Sequence, residues 1–284
     1  NSGFEFSATY RNRDRDFKYE LSANLSTLRN RVTSLGFGTD SYISGAYITN
    51  VGQEIGQFYG WAYEGIARTQ EDLDNHATQE GAQIGDCLYK DISGPDGKPD
   101  GKVDANDQVV LGSGMPKIHF GLNARFEYKR FDLSIATFGA LNYHVSDDIY
   151  NSLNSCYGWG NKEVGMLDAN RFSEDGSTYL SNVPRTYVTN SASLGWNDLF
   201  SSRKTQNAAY WKIANVELGY NFPNEWFGKY VSDVRFYVSA QNLHTFTGYH
   251  GYNVDYAGGT FTPGYNFCSY PTARTFMCGV HFTF

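Results

Sequence analysis

Apolar and polar residues alternate with period two along much of this chain. Between residues 118 and 128, Ile118, Phe120, Leu122, Ala124, Phe126 and Tyr128 share one parity, and His119, Gly121, Asn123, Arg125 and Glu127 share the other. Successive strand side chains point to opposite faces, so the segment predicts a β-strand with one apolar face. Phe17, Tyr19, Leu21, Ala23 and Leu25 alternate in the same way with Lys18, Glu20, Ser22 and Asn24. So do the segments carrying Phe4, Phe6, Ala8 and Tyr10, then Phe131, Leu133 and Ile135, and then Val234, Phe236, Val238 and Ala240. The chain closes on Phe276, Cys278, Val280, Phe282 and Phe284, again at alternate positions. Segment 210–222 changes parity, with Trp211 and Ile213 on one side and Val216, Leu218, Tyr220 and Phe222 on the other. A bulge near Ala214–Asn215 reconciles its two halves.

Counted back from the last residue, strands are expected at 271–284, 233–247, 209–222, 130–142 and 117–129. One or two more are expected within 45–67, then 17–34 and 3–12, giving about eight or nine strands. The connections between them are unequal. Arg11–Asp16, Lys129–Arg130 and, with Pro223, Asn221–Asp233 are short, whereas 67–116, 142–208 and 248–269 are long. Glu71–Glu80 has the makings of a short helix inside one long connection.

Alternation alone also fits a soluble sandwich. Three features favour a transmembrane antiparallel β-barrel. The polar parity carries charged residues, Asn and Gln, as a wet lumen requires. Aromatic residues cluster at strand ends (Tyr10, Tyr128, Phe131, Tyr220, Phe222, Phe284), where interfacial girdles lie. Short turns at one end and long loops at the other are the outer-membrane layout, and structureless loops of this size do not suit a compact soluble domain. Eight strands could close alone, but the inward parity is rich in small residues, including Ser7, Thr9, Ser22, Ser26, Gly121, Ser134 and Gly279. A wide, separately filled lumen suits them better. The fold class is all-β.

Composition is consistent with this. The 284 residues hold 30 Asp and Glu against 23 Lys and Arg, a net charge of −7, which disfavours a nucleic-acid partner. Aromatics make up 17%, too many for a disordered chain. No apolar run is long enough for a transmembrane helix. The chain opens at Asn1 directly in strand pattern, so it reads as a piece whose N-terminal part is absent. Its four cysteines (Cys87, Cys156, Cys268, Cys278) form no CxxC, and in an exported protein Cys87 could pair with Cys156.

Read in order, several strings resemble the C-terminal half of a SusC/RagA-type TonB-dependent outer-membrane transporter. They are Val51-Gly-Gln-Glu-Ile-Gly-Gln-Phe-Tyr-Gly60, Gly85-Asp-Cys-Leu-Tyr-Lys-Asp-Ile92, Asp96-Gly-Lys-Pro-Asp-Gly-Lys-Val-Asp104, Leu111-Gly through Pro116, and Phe120-Gly-Leu-Asn123. Tyr128-Lys-Arg-Phe-Asp-Leu133, Lys212-Ile-Ala-Asn-Val-Glu-Leu-Gly-Tyr220, Ser239-Ala-Gln-Asn-Leu-His-Thr-Phe246 and Tyr270-Pro-Thr-Ala-Arg-Thr-Phe276 follow. The resemblance covers essentially the whole chain. It implies a barrel of about 22 strands, a plug and a TonB box supplied by an absent N-terminal part, and a SusD-type surface lipoprotein over the extracellular loops. The expected location is the outer membrane of a Gram-negative bacterium. The expected function is import of oligomeric nutrients, glycans or oligopeptides. A passive porin and a barrel hydrolase are the alternatives.

Several residues are candidates for chemistry. Asp96, Asp100, Asp104 and Asp107 occupy positions 1, 5, 9 and 12 of a calcium-loop spacing, with Gly101 at the turn and Lys102 at the backbone-carbonyl position. Lys98 at position 3 departs from the pattern, so Ca²⁺ and a plain Gly/Asp turn cluster are both open. Tyr157, Trp159, Tyr187 and Trp196 are amphipathic rings suited to stacking on sugars or gripping peptide side chains, or to packing loops together. No HExxH, GxSxG or P-loop is present. His144 near Asp147 and Asp148 is the best catalytic pair on offer, against a solvated loop. Otherwise no catalytic residue is assigned. Val280, Phe282 and the terminal Phe284 resemble the signal read by outer-membrane assembly machinery. The edges at Phe4–Tyr10 and Phe276–Phe284 are expected to pair with strands of the missing half, because open edges in lipid are costly.

Overall fold

The computed structural model describes residues 1–155, 161–164, 183–185, 195–227, 231–255, 258–267 and 269–284, apart from the side chain of residue 37. The chain begins with β1 (Glu5–Asn12) and β2 (Phe17–Thr27). Next come β3 (Ser41–Ser44), β4 (Tyr47–Asn50), β5 (Gln57–Trp61), β6 (Tyr63–Ile66), helix α1 (Gln70–Asn75), β7 (Cys87–Tyr89) and β8 (Gln108–Ser113). The long strands β9 (Ile118–Tyr128) and β10 (Phe131–Leu141) precede β11 (His144–Asp147), α2 (Asp148–Leu153) and β12 (Gln206–Asn207). The last strands are β13 (Tyr210–Asn221), β14 (Asp233–Thr247), β15 (Tyr265–Asn266) and β16 (Thr275–Thr283).

Seven strands form one antiparallel sheet in the order β1-β2-β9-β10-β13-β14-β16. Register fixes its two faces. Tyr10 faces Leu21, Leu21 faces Ala124, Ala124 faces Ile135, Ile135 faces Val216, Val216 faces Ala240 and Ala240 faces Phe276. One row of apolar partners therefore crosses the whole sheet. The row beside it runs Arg11, Glu20, Arg125, Ser134, Glu217, Ser239 and Met277. A register slip of one residue would exchange the two faces, so the alternation itself specifies the pairing. The expected bulge is present. Both neighbours of β13 shift register beside Ala214, and Asn242 on β14 answers with a φ of 52°.

Aromatic pairs mark both ends of the apolar face. Phe17 stacks on Phe126 at 6.0 Å and Phe131 meets Tyr220 at 4.8 Å near the short turns. Trp211 stacks on Phe246 at 5.4 Å near the long connections. No helix among the described residues is long and apolar enough to cross a membrane, which says nothing against a barrel that crosses with strands.

One expectation is corrected. The strands expected within 45–67 exist as β4, β5 and β6, but they do not join the barrel sheet, because β2 pairs directly with β9 over its full length. β3, β4, β5 and β8 form a separate four-stranded sheet, and β6 and β7 form a two-stranded antiparallel sheet of their own. Among the described residues the expected eight or nine strands reduce to seven in the wall, and the whole of 28–117 is one connection. The sequence in 45–67 betrays this by lacking clean alternation. Tyr47, Ile48 and Thr49 are buried in succession, so both faces of that strand are covered. The expected short helix is α1, closed by a capping box in which Thr69 Oγ1 accepts the Asp72 N–H at 3.1 Å and Asp72 Oδ2 accepts the Thr69 N–H at 2.9 Å.

Candidate functional site

Neighbouring strands are antiparallel, so the connections 28–117, 142–209 and 248–274 all leave from the same end of the sheet. There they bind one another. Asp86, almost fully buried, accepts Arg185 Nε at 2.6 Å and Arg185 Nη2 at 3.0 Å. Asn197 Nδ2 donates to the same carboxylate at 2.7 Å, and Asn197 Oδ1 accepts the Cys87 N–H at 2.7 Å. A buried charge requires such pairing. Around it pack Cys87, Tyr89 and Val103, with Trp61, Tyr63, Trp196 and Leu199. The first and second long connections are thus one body.

A second lock joins the second connection to the third. Asp147 Oδ2 accepts the Tyr249 hydroxyl and Asn266 Nδ2, the latter at 3.1 Å, while Asp147 Oδ1 caps α2 through the Tyr150 N–H at 2.8 Å. Burial, then the hydrogen bond to Asp147, pushes the Tyr249 phenol well above its ordinary value, which keeps it a donor. Tyr143, Val145, Ala208, Tyr210 and Val254 pack beside Tyr249. Lys212, on the inward face of β13, reaches Asp255 Oδ2 at 2.9 Å and ties this loop body to the wall.

The inward face itself divides in two. Near the short turns it is ionic. Arg11 Nε meets Glu20 at 2.6 Å, Arg125 meets Glu127 at 3.2 Å, and Arg235 bridges Asp132 at 2.5 Å and Glu217 at 2.7 Å. Gly219 lies beneath Arg235, and a Cβ there would meet both the guanidinium and the Asp132 carboxylate. Near the loops the inward face carries an open groove of about 690 Å³ along β1, β2, β9 and β10.

The predicted site residues fare unequally. Tyr157, Trp159 and Tyr187 lie outside the described residues, as does Cys156, the suggested partner of Cys87. Trp196 is a clamp between loops. Its indole N–H donates to the Glu80 carbonyl at 2.9 Å, its own carbonyl accepts the Tyr89 hydroxyl, and its ring packs on Tyr89.

The calcium-like carboxylates do not converge. Asp107 Oδ1 accepts the Ile92 and Ser93 N–H groups at 2.6 and 2.9 Å, and its Oδ2 accepts the Asp104 N–H at 2.8 Å. Burial opposes its ionisation, but these three backbone donors win and hold the carboxyl below the usual range. Asp104 caps the Asn106 N–H, Asp100 takes the Lys102 N–H, and Asp96 is exposed. Among the described residues no three acidic, His or Cys side chains are placed to hold a metal. Asp107 spends both carboxylate oxygens on backbone N–H groups, and Asp100 and Asp104 spend one each.

His144 does not form a catalytic pair with Asp147. The two stand three residues apart on β11 and so point to opposite faces. Burial, then the nearby Lys117, lowers the imidazole's affinity for a proton. Val280 and Phe282 are exposed on the outward face of β16, which has one strand partner among the described residues, and Phe284, just past its end, is exposed too.

Sequence reasoning missed Asp86, Arg185, Asn197, Tyr249 and Asn266, and took Asp147 for a partner of His144 rather than of Tyr249 and Asn266. Only Asp86 gave a signal, as a carboxylate inside the apolar string Asp86-Cys-Leu-Tyr89.

Sheet and loops define a class: a stretch of antiparallel transmembrane barrel wall with its long loops gathered and interlocked at one end. No family model matches the chain. TonB-dependent receptor P3 of Formosa agariphila is 29% identical over 303 residues, covering 100% of this chain and 28% of that protein. TonB-dependent receptor SusC of Bacteroides thetaiotaomicron is 24% identical over 291 residues, covering 100% of this chain and 26% of that protein. A structure of the RagAB peptide transporter superposes with a TM-score of 0.78 at 21% identity, over 99% of this chain and 29% of that one. The closed-closed state of the RagAB peptide importer gives 0.75 at 22% identity. The chain is similar in sequence to TonB-dependent receptors, SusC among them, and has the fold of part of the chain in the RagAB structures. It spans less than a third of the length of the curated relatives it matches.

Proposed function

We propose that this chain is the C-terminal barrel portion of a transporter that imports oligomeric nutrients, glycans or oligopeptides, across the outer membrane of a Gram-negative bacterium. The carrying observation is the asymmetry of the sheet. One face is apolar across seven strands, and every long connection leaves from one end and locks to its neighbours. Such a wall offers lipid a continuous apolar surface and offers the outside a preformed canopy. The open edges at β1 and β16 call for the remaining wall strands, since unpaired backbone groups in lipid cost several kcal/mol each. The relatives' name, TonB-dependent receptor, supports coupling to TonB. The canopy is the surface on which a SusD-type lipoprotein would sit. Val280, Phe282 and Phe284 present the terminal strand for assembly, and truncating Phe284 is expected to lower insertion.

The test uses the full-length protein expressed in its own outer membrane. Accumulation of labelled oligosaccharide or oligopeptide pools is expected to depend on both the protein and TonB, and a surface lipoprotein is expected to copurify. Accumulation unchanged by loss of TonB would favour a passive porin.

A further inference from the structure

The groove at the loop end of the inward face is built from two adjacent rungs of the sheet. One rung runs Glu5, Ser26, His119 and Ala140, and the next runs Ser7, Asn24, Gly121 and Phe138. Gly121 makes the depression. A Cβ there would strike the Asn24 amide, whose oxygen takes that space instead. Phe138 forms the far wall. The edge of Tyr210 meets it at 6.1 Å and Lys212 Nζ stands 5.9 Å from its centroid, so the ring is held in place from the loop side.

Glu5, Asn24 and His119 have no side-chain partner among the described residues, so a carboxylate, an amide and an imidazole are left facing the groove. Among the described residues the cations beside it, Lys212 and Lys117, are occupied by Asp255 and Glu54. The other arginines and lysines of this stretch of the inward face lie at the opposite end, around Arg13, Lys18 and Arg125, where Arg13 meets Glu20 and Arg125 meets Glu127.

From this geometry we infer that the groove is a binding surface for a neutral oligosaccharide, with Phe138 stacking on a sugar ring and Glu5, Asn24 and His119 bonding its hydroxyls. This rests on the import function proposed above. Vicinal hydroxyls both donate and accept, matching an acceptor carboxylate beside an amide and an imidazole. A fixed aromatic face suits the C–H side of a pyranose. A peptide is matched less well. Its carboxylates would find no free cation, and its apolar side chains would find only one ring.

The experiment takes the full-length protein, with its copurifying lipoprotein, and two probes. These are a mixed pool of neutral oligosaccharides and a mixed pool of peptides, with bound and imported species read by mass spectrometry. Wild type is expected to retain and import saccharides. Phe138→Ala should weaken retention about tenfold and Asn24→Ala severalfold, while Phe138→Tyr should stay near wild type. Heat-modifiable migration checks barrel assembly, and if Phe138→Ala fails to assemble, Asn24→Ala and Phe138→Tyr decide. Unchanged saccharide retention in Asn24→Ala and Phe138→Ala overturns the groove assignment, as does TonB-dependent import of the peptide pool alone. Import of neither pool by wild type overturns the transport reading itself.

Discussion

At the short-turn end of the sheet, contacts are made between neighbouring strands. Arg11 meets Glu20 across one hairpin, and Phe131 meets Tyr220 across one pairing. At the loop end, the decisive contacts join residues far apart in the chain: Arg185 with Asp86, and Tyr249 with Asp147. The first end is exposed and ionic on its inward side, where surface pairs contribute little each. The second is buried, where a broken pair leaves an uncompensated charge. The wall is therefore specified by many small, repeated, local terms. The canopy depends on a few expensive, non-repeated ones, so damage there should be localised and severe.

The largest expected effect tests that contrast. Arg185→Met strands the Asp86 carboxylate in a buried site, and the loop body should lose about 3–5 kcal/mol of local stability. Limited proteolysis should then cut within the long connections while heat-modifiable migration stays normal. If barrel and loops failed together, the two ends would not be independent. Next comes the membrane face. Leu122→Arg should cost about 2–4 kcal/mol near the bilayer midplane, whereas Asn123→Arg, one residue along and facing inward, should be mild. Equal folding yields for the two variants would break the assignment of faces.

A smaller effect is expected at Gly219. Gly219→Ala places a methyl group between Arg235 and Asp132, and overpacking of this kind costs about 1–3 kcal/mol. Arg235→Met in the same background should add less than it does alone, because the pair is already lost; additive losses would show that Gly219 serves something else.

The smallest effect concerns Asp107. Its carboxyl is held below the ordinary range in the folded protein, so its contribution is fully present above the unfolded value and is lost as pH falls through that value toward the folded one. Hydrogen exchange at Ile92, Ser93 and Asp104 should accelerate on acidification over that window. Asp107→Asn should abolish the pH dependence at a cost of about 1–3 kcal/mol. EDTA at neutral pH should leave the same amides unchanged; faster exchange with chelator would restore the calcium reading of Asp96, Asp100, Asp104 and Asp107.

The sequence alone determined the wall. Period-two alternation named its faces, the parity change at 210–222 located the bulge at Ala214, and the unequal connections oriented the sheet. Alternation is a local property, and burial of one face in lipid acts on each strand in the same way, so the signal survives without knowledge of neighbours. The tertiary structure decided what the alternation could not carry. It excluded 45–67 from the wall, because β2 found β9 as its partner across the whole intervening connection. It turned Trp196 from a candidate ligand platform into a clamp between loops. It also spent the carboxylates of Asp104 and Asp107 on backbone N–H groups. Each of these outcomes rests on one partner distant in sequence, and a single long-range pairing leaves no periodicity in either segment to announce it.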